Sequence, residues 1–267
     1  MKIGLIAGWG DLPLTFAREA YENNQDLVIV AIKSSASKEI EKYGKTYWFS
    51  FTEAQKIIDT FKNENVKNLV MLGRVDHKSI LFHFYKFDER AKRFLNSLKD
   101  KRAKSILHSI IQELEKEGFE FIDPTPYLKS IIVEEGFLVN DIKDENLKKD
   151  VEFGMKIAKE VADLDIGQTV VVKDGVVIAV EGVEGTDECI IRGGKLAGEG
   201  SVVCKAARKN QDMRYDVPVI GPLTLESMKK AKAKVLAVEA GKTYLLEKDK
   251  FIRKAKDYGI TVLGVKV

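Results

Sequence analysis

Lys2-Ile3-Gly4-Leu5-Ile6-Ala7-Gly8-Trp9-Gly10-Asp11-Leu12-Pro13 passes from an apolar run into a glycine-rich turn. A short apolar run bounded by turn residues reads as a buried strand, here Ile3–Ala7. Beyond Asp11 the period changes. Leu12, Leu14, Phe16, Ala17 and Ala20 give one broad apolar face, which predicts a helix. Leu27–Ile32 reads as a second buried strand, Thr52 as the cap of a helix running to Phe61, and Lys67–Leu72 as a third strand. Strand, helix, strand, helix, strand is the rhythm of an open parallel sheet.

Two helical stretches follow, at about Ile80–Leu98 and Ala103–Glu117, then a short strand at Glu120–Ile122. Asn140–Lys149 is polar and reads as a linker, followed by a helix over Asp150–Asp163. Gln168–Lys173 and Val176–Val180 flank Asp174-Gly175, and Asp-Gly between β-branched runs is a strong hairpin signal. Further strands are expected at Val202-Val203, Val235–Val238 and Thr261–Val265, with helices from about Thr224 and over Asp249–Tyr258. The expected fold class is α/β with two α/β domains. Residues 1–136 form an open parallel Rossmann-like sheet and 137–267 a mixed α/β sheet carrying catalysis, with the substrate site between them.

Composition removes several function classes. A chain of 267 residues has room for two domains of about 100–200 residues each. With 45% hydrophobic residues it can build a core without disulfide or metal staples. The 44 Lys+Arg nearly balance 41 Asp+Glu, and a net +3 is too mild to argue for a nucleic-acid partner. Cys189 and Cys204 form neither a zinc pattern nor a disulfide framework. The histidines, His77, His83 and His108, all fall in the middle helical stretch, which argues against a histidine metal centre. Met1-Lys2 leads straight into a strand, unlike a signal peptide, and no apolar run approaches the roughly 20 residues of a membrane span. A soluble cytoplasmic protein is expected.

Gly8-Trp9-Gly10 after a first strand lets backbone N–H groups approach a phosphate at a helix N-terminus. The dinucleotide fingerprint is incomplete, because Pro13 stands where its third glycine belongs. Lys33-Ser34 also ends the second strand where an acidic residue would hold a ribose. A nicotinamide-dependent oxidoreductase is therefore the weaker alternative. A phosphate or nucleotide contact, or a tight turn with no ligand, suits the loop equally.

The second half is rich in carboxylates. Glu184-Gly185-Thr186-Asp187 is followed by Arg192, then Lys205, then Gln211-Asp212-Met213-Arg214-Tyr215-Asp216-Val217-Pro218. Pro218 biases Val217 away from helix, so an extended segment is expected, with Asp212, Arg214 and Asp216 on one face. Two carboxylates beside a guanidinium suit Mg²⁺ next to an anionic substrate, since Mg²⁺ completes its shell with water and phosphate. A solvated ion-pair cluster fits the same spacing. Glu239 closes a strand, where open α/β sheets place ligands, although Glu239 and Asp187 equally suit turn or surface positions. No Walker loop, calcineurin-type histidine pattern, Nudix helix or GxSxG motif is present. Arg74–Lys104 carries ten Lys/Arg against four Asp/Glu, interleaved with Phe82, Phe84, Tyr85, Phe87 and Phe94. Such a stretch suits either anionic lipid or a core-facing helix whose lysines snorkel.

Taken together, these motifs resemble one family. Ile6–Pro13, Gly73-Arg74-Val75, Asp165-Ile166-Gly167-Gln168, Glu184–Asp187 with Arg192, Gln211–Pro222 and Val238-Glu239-Ala240-Gly241 occur in order along the chain. The set is similar to the UDP-2,3-diacylglucosamine pyrophosphatases of lipid A biosynthesis, LpxI type. The resemblance departs at Trp9, where a small glycine is often found, and at Asp100-Lys101-Arg102, where relatives tend to be more acidic.

The resemblance implies an Mg²⁺-dependent hydrolase that splits the pyrophosphate of UDP-2,3-diacylglucosamine into UMP and 2,3-diacylglucosamine 1-phosphate. The alternative is a nucleotide-sugar-binding protein without catalysis. Asp212 and Asp216 would hold the metal. Asp187, Glu239 and Arg214 complete the expected catalytic set, and Gly8, Gly10, Asp11, Leu12, Gly73, Arg74, Val75, Gln168, Thr186, Arg192, Lys205 and Gln211 would contact substrate. The expected partner is the lipid-linked nucleotide sugar, with transient contact at the inner face of the membrane and a homodimer as a further possibility.

Overall fold

The computed structural model describes residues 1–73, 87–98, 103–215 and 217–267. The chain forms two units, Met1–Lys129 with Met213–Asp216, and Ser130–Asp212 with Val217–Val267.

In the first unit β1 (Lys2–Ala7), β2 (Asp26–Ile32), β3 (Lys45–Phe49), β4 (Asn68–Leu72) and β5 (Glu120–Phe121) form one sheet in the order β3-β2-β1-β4-β5. Every neighbouring pair is parallel. The strand order reverses at β1, where β2 lies on one side and β4 on the other. The helix α1 (Leu12–Glu22) buries Phe16, Ala17 and Ala20, and its first turn accommodates Pro13 because an N–H there has no intrahelical partner. Against the sheet lie α2 (Ala54–Asn63) and α4 (Ala103–Lys116), while α3 (Glu89–Ser97) contacts α2. Val28, Val30, Ile58, Phe61, Leu69, Ile111 and Phe121 share one core cluster.

Two local readings of this unit needed revision. Thr52 does not cap α2. Glu53 takes the N-cap position, and the Thr52 hydroxyl instead meets Ser50 Oγ at 2.8 Å. The edge strand β3 was not anticipated, because its apolar part is only the three aromatics Tyr47-Trp48-Phe49, and none of its five residues is fully buried. The basic, aromatic stretch from Arg74 to Lys104 lies largely outside the described residues, Phe82, Phe84 and Tyr85 included; Phe87 is buried.

The second unit is a mixed sheet of six strands: β6 (Gly136–Val139), β7 (Thr169–Lys173), β8 (Val176–Val180), β9 (Val202–Lys205), β11 (Val235–Glu239) and β13 (Thr261–Val265). Their order is β6-β13-β11-β9-β7-β8. The central β13-β11-β9 run is parallel, and β6, β7 and β8 join antiparallel. A separate parallel pair joins β10 (Val219–Ile220) to β12 (Tyr244–Leu245).

Strand alternation sends side chains to two helical layers. Val170, Val172, Val202 and Cys204 pack with Val151, Met155 and Ala158 of α5 (Glu145–Asp163). On the opposite face Val171, Val203, Leu236 and Val262 meet Ile190, Leu225, Met228 and Phe251. Those four come from α6 (Thr186–Ala197), α7 (Pro222–Ala231) and α8 (Lys248–Asp257).

The second half of the polar run read as a linker is helix. Asp144 accepts the Asn146 N–H at 2.8 Å and starts α5 at Glu145, so Glu145, Lys148 and Lys149 belong to the start of the helix while Asp141 and Lys143 precede it. The hairpin turns at Asp174 (φ 50°) and Gly175 (φ 73°). The buried Asp150 carboxylate accepts both turn N–H groups, at 2.8 and 2.7 Å.

Candidate active site

In the first unit, the sheet's switch point is held by glycine backbone. The Gly8 N–H donates to the Leu72 carbonyl at 2.8 Å, joining the ends of β1 and β4. Gly73 has φ +90°, and a Cβ there would stand 2.7 Å from the Gly8 carbonyl carbon. Only glycine fits both the conformation and the approach. Asp11 stands at the N-cap of α1 without a side-chain cap, so Gly8, Gly10, Asp11 and Leu12 surround an open helix N-terminus at the carboxyl end of β1. Open parallel sheets bind ligands at such a crevice. Trp9, 47% exposed, projects from the same turn. Arg74 and Val75 lie outside the described residues.

The second unit gathers more chemistry at the edge where β9 and β11 end. Lys205 closes β9, pairing in register with Thr169 on one side and Val238 on the other. Its ammonium is buried and donates to Thr186 Oγ1 at 2.7 Å. The Thr186 hydroxyl donates to Glu181 Oε1 at 3.1 Å and accepts a longer bond from Thr169 Oγ1 at 3.4 Å. One donor and two acceptor positions are thus all used. Glu181 Oε2 accepts the Gln168 N–H at 3.2 Å.

Thr186 begins α6, and the residue before it, Gly185, has φ 85° and supplies no side-chain cap. A helix N-terminus with open N–H groups beside a lysine is suited to an anion, because peptide dipoles and the ammonium act in one direction. Arg192, two turns along α6, donates to the Val180 carbonyl at 2.8 Å and to Glu184 Oε1 at 2.5 Å. That bond holds the Glu184 carboxyl below the usual range and raises Arg192 further.

The remaining expected residues fall into different settings. Asp187, in the first turn of α6, accepts the Ser227 hydroxyl at 3.0 Å. Glu239 is buried at the end of β11, between Lys159 (2.9 Å) and Lys242 (3.0 Å). Gln211 and Asp212 lie half-buried on the loop after β9, where Gln211 Nε2 donates to the Asp212 carbonyl at 3.2 Å. Arg214 belongs to the first unit, 3.5 Å from Glu115 of α4, and Tyr215 Oη lies 3.4 Å from His108 Nδ1.

The extended segment expected over Asp212–Asp216 is not formed. Met213 and Arg214 make a turn, so side-chain alternation does not put Asp212 and Arg214 on one face. Pro218 constrains only the residue before it, and no strand partner holds Gln211–Tyr215 extended. Asp216 lies outside the described residues.

Lys159 and Glu181 were missed by the sequence reading. Lys159 carried a signal. It falls four residues after Met155 and three before Ala162, inside the apolar stripe of α5.

Among the described residues no three His, Cys, Asp or Glu side chains gather as a metal cage. The chemistry of Asp212 still fits Mg²⁺, which takes one or two carboxylates and fills its shell with water and substrate phosphate. Among the same residues no helix is long and apolar enough to cross a membrane.

Residues 2–131 match the LpxI N-terminal domain and residues 134–263 the LpxI C-terminal domain. The chain belongs to the LpxI family. The UDP-2,3-diacylglucosamine pyrophosphatase LpxI of Caulobacter vibrioides is 29% identical over 275 residues, covering 99% of this chain and 97% of that protein. Two structures of leucoanthocyanidin reductase from Vitis vinifera, a binary complex with NADPH and a ternary complex, are 12% and 13% identical. Each covers 45% of this chain and 48% and 45% of theirs, at TM-scores of 0.29 and 0.28. Scores that low carry no inference for this LpxI chain.

Proposed function

We propose that this protein hydrolyses UDP-2,3-diacylglucosamine to UMP and 2,3-diacylglucosamine 1-phosphate in lipid A biosynthesis. The observation that carries this reading is the match of both halves, in order, to the two LpxI domains, with a relative of that activity aligned along nearly the whole chain.

Water adds its oxygen to one phosphorus and loses a proton to solvent, the bridging P–O bond breaks with its electron pair on the bridging oxygen, and the departing phosphate leaves as the second product. Negative charge on the pyrophosphate oxygens must be neutralised as this happens. Lys205, Arg192 and the open end of α6 at Thr186 are assigned that role, with Gln168 and Gln211 as neighbouring contacts. In the first unit the Gly8–Leu12 turn, Gly73, Arg74 and Val75 are assigned to substrate binding, and Arg214 to an anionic group. Asp212 and Asp216 are assigned to Mg²⁺ and to orienting the attacking water. When bound, Mg²⁺ supplies charge neutralisation at the phosphate oxygens. Asp187 and Glu239 are second candidates. Their carboxylates already accept Ser227 and two lysines respectively, so neither is given the proton transfer.

The test is incubation of the purified protein with UDP-2,3-diacylglucosamine and Mg²⁺. EDTA-sensitive release of UMP is expected; tight binding of the UDP-sugar with no UMP would point to a binding protein instead. Asp212→Ala retaining full hydrolysis in folded protein would remove Asp212 from the mechanism. Two acyl chains keep such a substrate at a bilayer, so the protein would meet it at a membrane surface. Co-flotation with substrate-bearing vesicles checks this.

A further inference from the structure

The loop after β9 begins at a buried residue, Ala207, gripped through both its backbone groups. Glu239 Oε2 accepts the Ala207 N–H at 2.8 Å, and Lys159 Nζ donates to the Ala207 carbonyl at 2.9 Å. Lys159 also spans both carboxylate oxygens of Glu239, at 2.9 and 3.0 Å. The ion pair is nearly closed to solvent, with Lys159 15% and Glu239 4% exposed. Ala206 and Ala207 are fully buried beside it, and the Ala206 N–H donates to the Gln168 carbonyl at 3.0 Å.

Further along, the loop is anchored residue by residue. Arg208 pairs with Asp165 at 2.7 Å, the Lys209 N–H meets Asp163 Oδ1 at 2.5 Å, and the Gln211 N–H returns to the Arg208 carbonyl at 3.2 Å. Asp212 follows directly. The Ala207 N–H and carbonyl belong to the two successive peptide planes that flank its Cα, and holding one group in each plane fixes both backbone dihedrals there, so the direction in which Arg208–Asp212 leave the sheet is set at Ala207.

We propose that Lys159 and Glu239 are positioning residues. By clamping the backbone on both sides of the Ala207 Cα they fix the path of the loop that presents Gln211 and Asp212 to the substrate. This rests on the role given to Asp212 above. It explains why a strand end carries a carboxylate so enclosed by cations: its acceptor positions are occupied by a backbone amide and two ammonium groups, which suits holding a loop rather than taking a proton. A buried ion pair by itself is weak support for stability, since apolar residues of similar volume often replace one without loss. The clamp on Ala207 is what such a replacement could not reproduce.

The test uses that distinction. Lys159→Met is compared with the double variant Lys159→Met/Glu239→Leu, which removes both buried charges, each assayed at a temperature where it is folded. A loop displaced by about an ångström is expected to lower kcat about 10–100-fold, with KM for the UDP-sugar within about twofold. Amide exchange at residues 206–212 is expected to quicken in both variants, while the strands β9 and β11 keep their protection. The double variant regains thermal stability but not kcat. A return of kcat together with stability, or unchanged exchange at residues 206–212 in either variant, overturns the proposal. If the wild-type protein released no UMP, the reading of its function would fail, and exchange would still report on the clamp.

Discussion

The Lys205 ammonium and the Thr186 hydroxyl lie 2.7 Å apart, joining the end of β9 to the first residue of α6. One cation and one helix terminus converge because the antiparallel β7–β9 pairing sets Thr169 opposite Lys205, and the chain from β8 returns to that edge as α6. Lys205→Met is expected to lower kcat/KM for the UDP-sugar about 100-fold or more, since a donor aimed at developing phosphate charge is lost. Steady-state UMP release measures it. An unchanged kcat/KM would separate Lys205 from the pyrophosphate.

Thr186→Val keeps the shape of the side chain and removes the hydroxyl. Glu181 then loses a donor and Lys205 an acceptor, at an expected cost of about 1–3 kcal/mol in urea denaturation. Activity falls as well, because Lys205 is no longer aimed by its partner. A variant as stable as the wild type would show that water replaces the hydroxyl.

Asp150 is far from this chemistry in role. Its carboxylate is 3% exposed and accepts the two N–H groups of the Asp174-Gly175 turn. Asp150→Ala leaves both donors unmatched and should destabilise the second unit by about 1.5–3 kcal/mol, as for bonds to charged groups. KM should be unaffected at temperatures where the protein is folded.

Gly73→Ala combines a left-handed backbone angle with a Cβ directed at the Gly8 carbonyl carbon. The expected loss exceeds about 1 kcal/mol, the usual range for alanine at positive φ. Thermal denaturation reads the loss. A raised KM would tie the displaced Gly8–Leu12 turn to substrate binding.

Acid sensitivity has an identifiable source in the first unit. Hydrogen bonds from Lys62 and Arg90 lower the Glu117 carboxyl from 4.5 to about 2. A depressed carboxylate stabilises the fold above its unfolded value, and that contribution is lost as pH falls through the folded value. Glu117→Gln should therefore be less stable than the wild type at neutral pH, with the gap closing between about pH 4.5 and 2. Denaturant midpoints across that interval check it. A gap independent of pH would assign the loss to packing.

Much of the architecture was legible because its signals are local. Ile3–Ala7 and Thr261–Val265 are apolar runs cut off by turn residues, and Asp174-Gly175 supplies the positive φ angles that a tight hairpin needs. Strand Lys45–Phe49 was not legible, since a half-buried edge strand mixes polar and aromatic residues without a clear period. Glu145–Lys149 misled for a related reason: the first turn of a helix is as polar as the loop Asn140–Asp144 before it, and the bond Asp144 accepts from the Asn146 N–H marks where one gives way to the other.

The residue types and spacings of the sequence alone determined two α/β units, the glycine turns and the family to which the motifs belong. They also named Lys205, Thr186, Glu239 and Asp212 as places to look. Which of these meet was decided by tertiary structure. Thr186 and Lys205 are separated by 19 positions, Ala207 and Glu239 by 32, Lys159 and Glu239 by 80. No periodicity reaches across such distances. Strand order and register bring the ends of β9 and β11 to one edge, and burial then requires each charge there to find a partner.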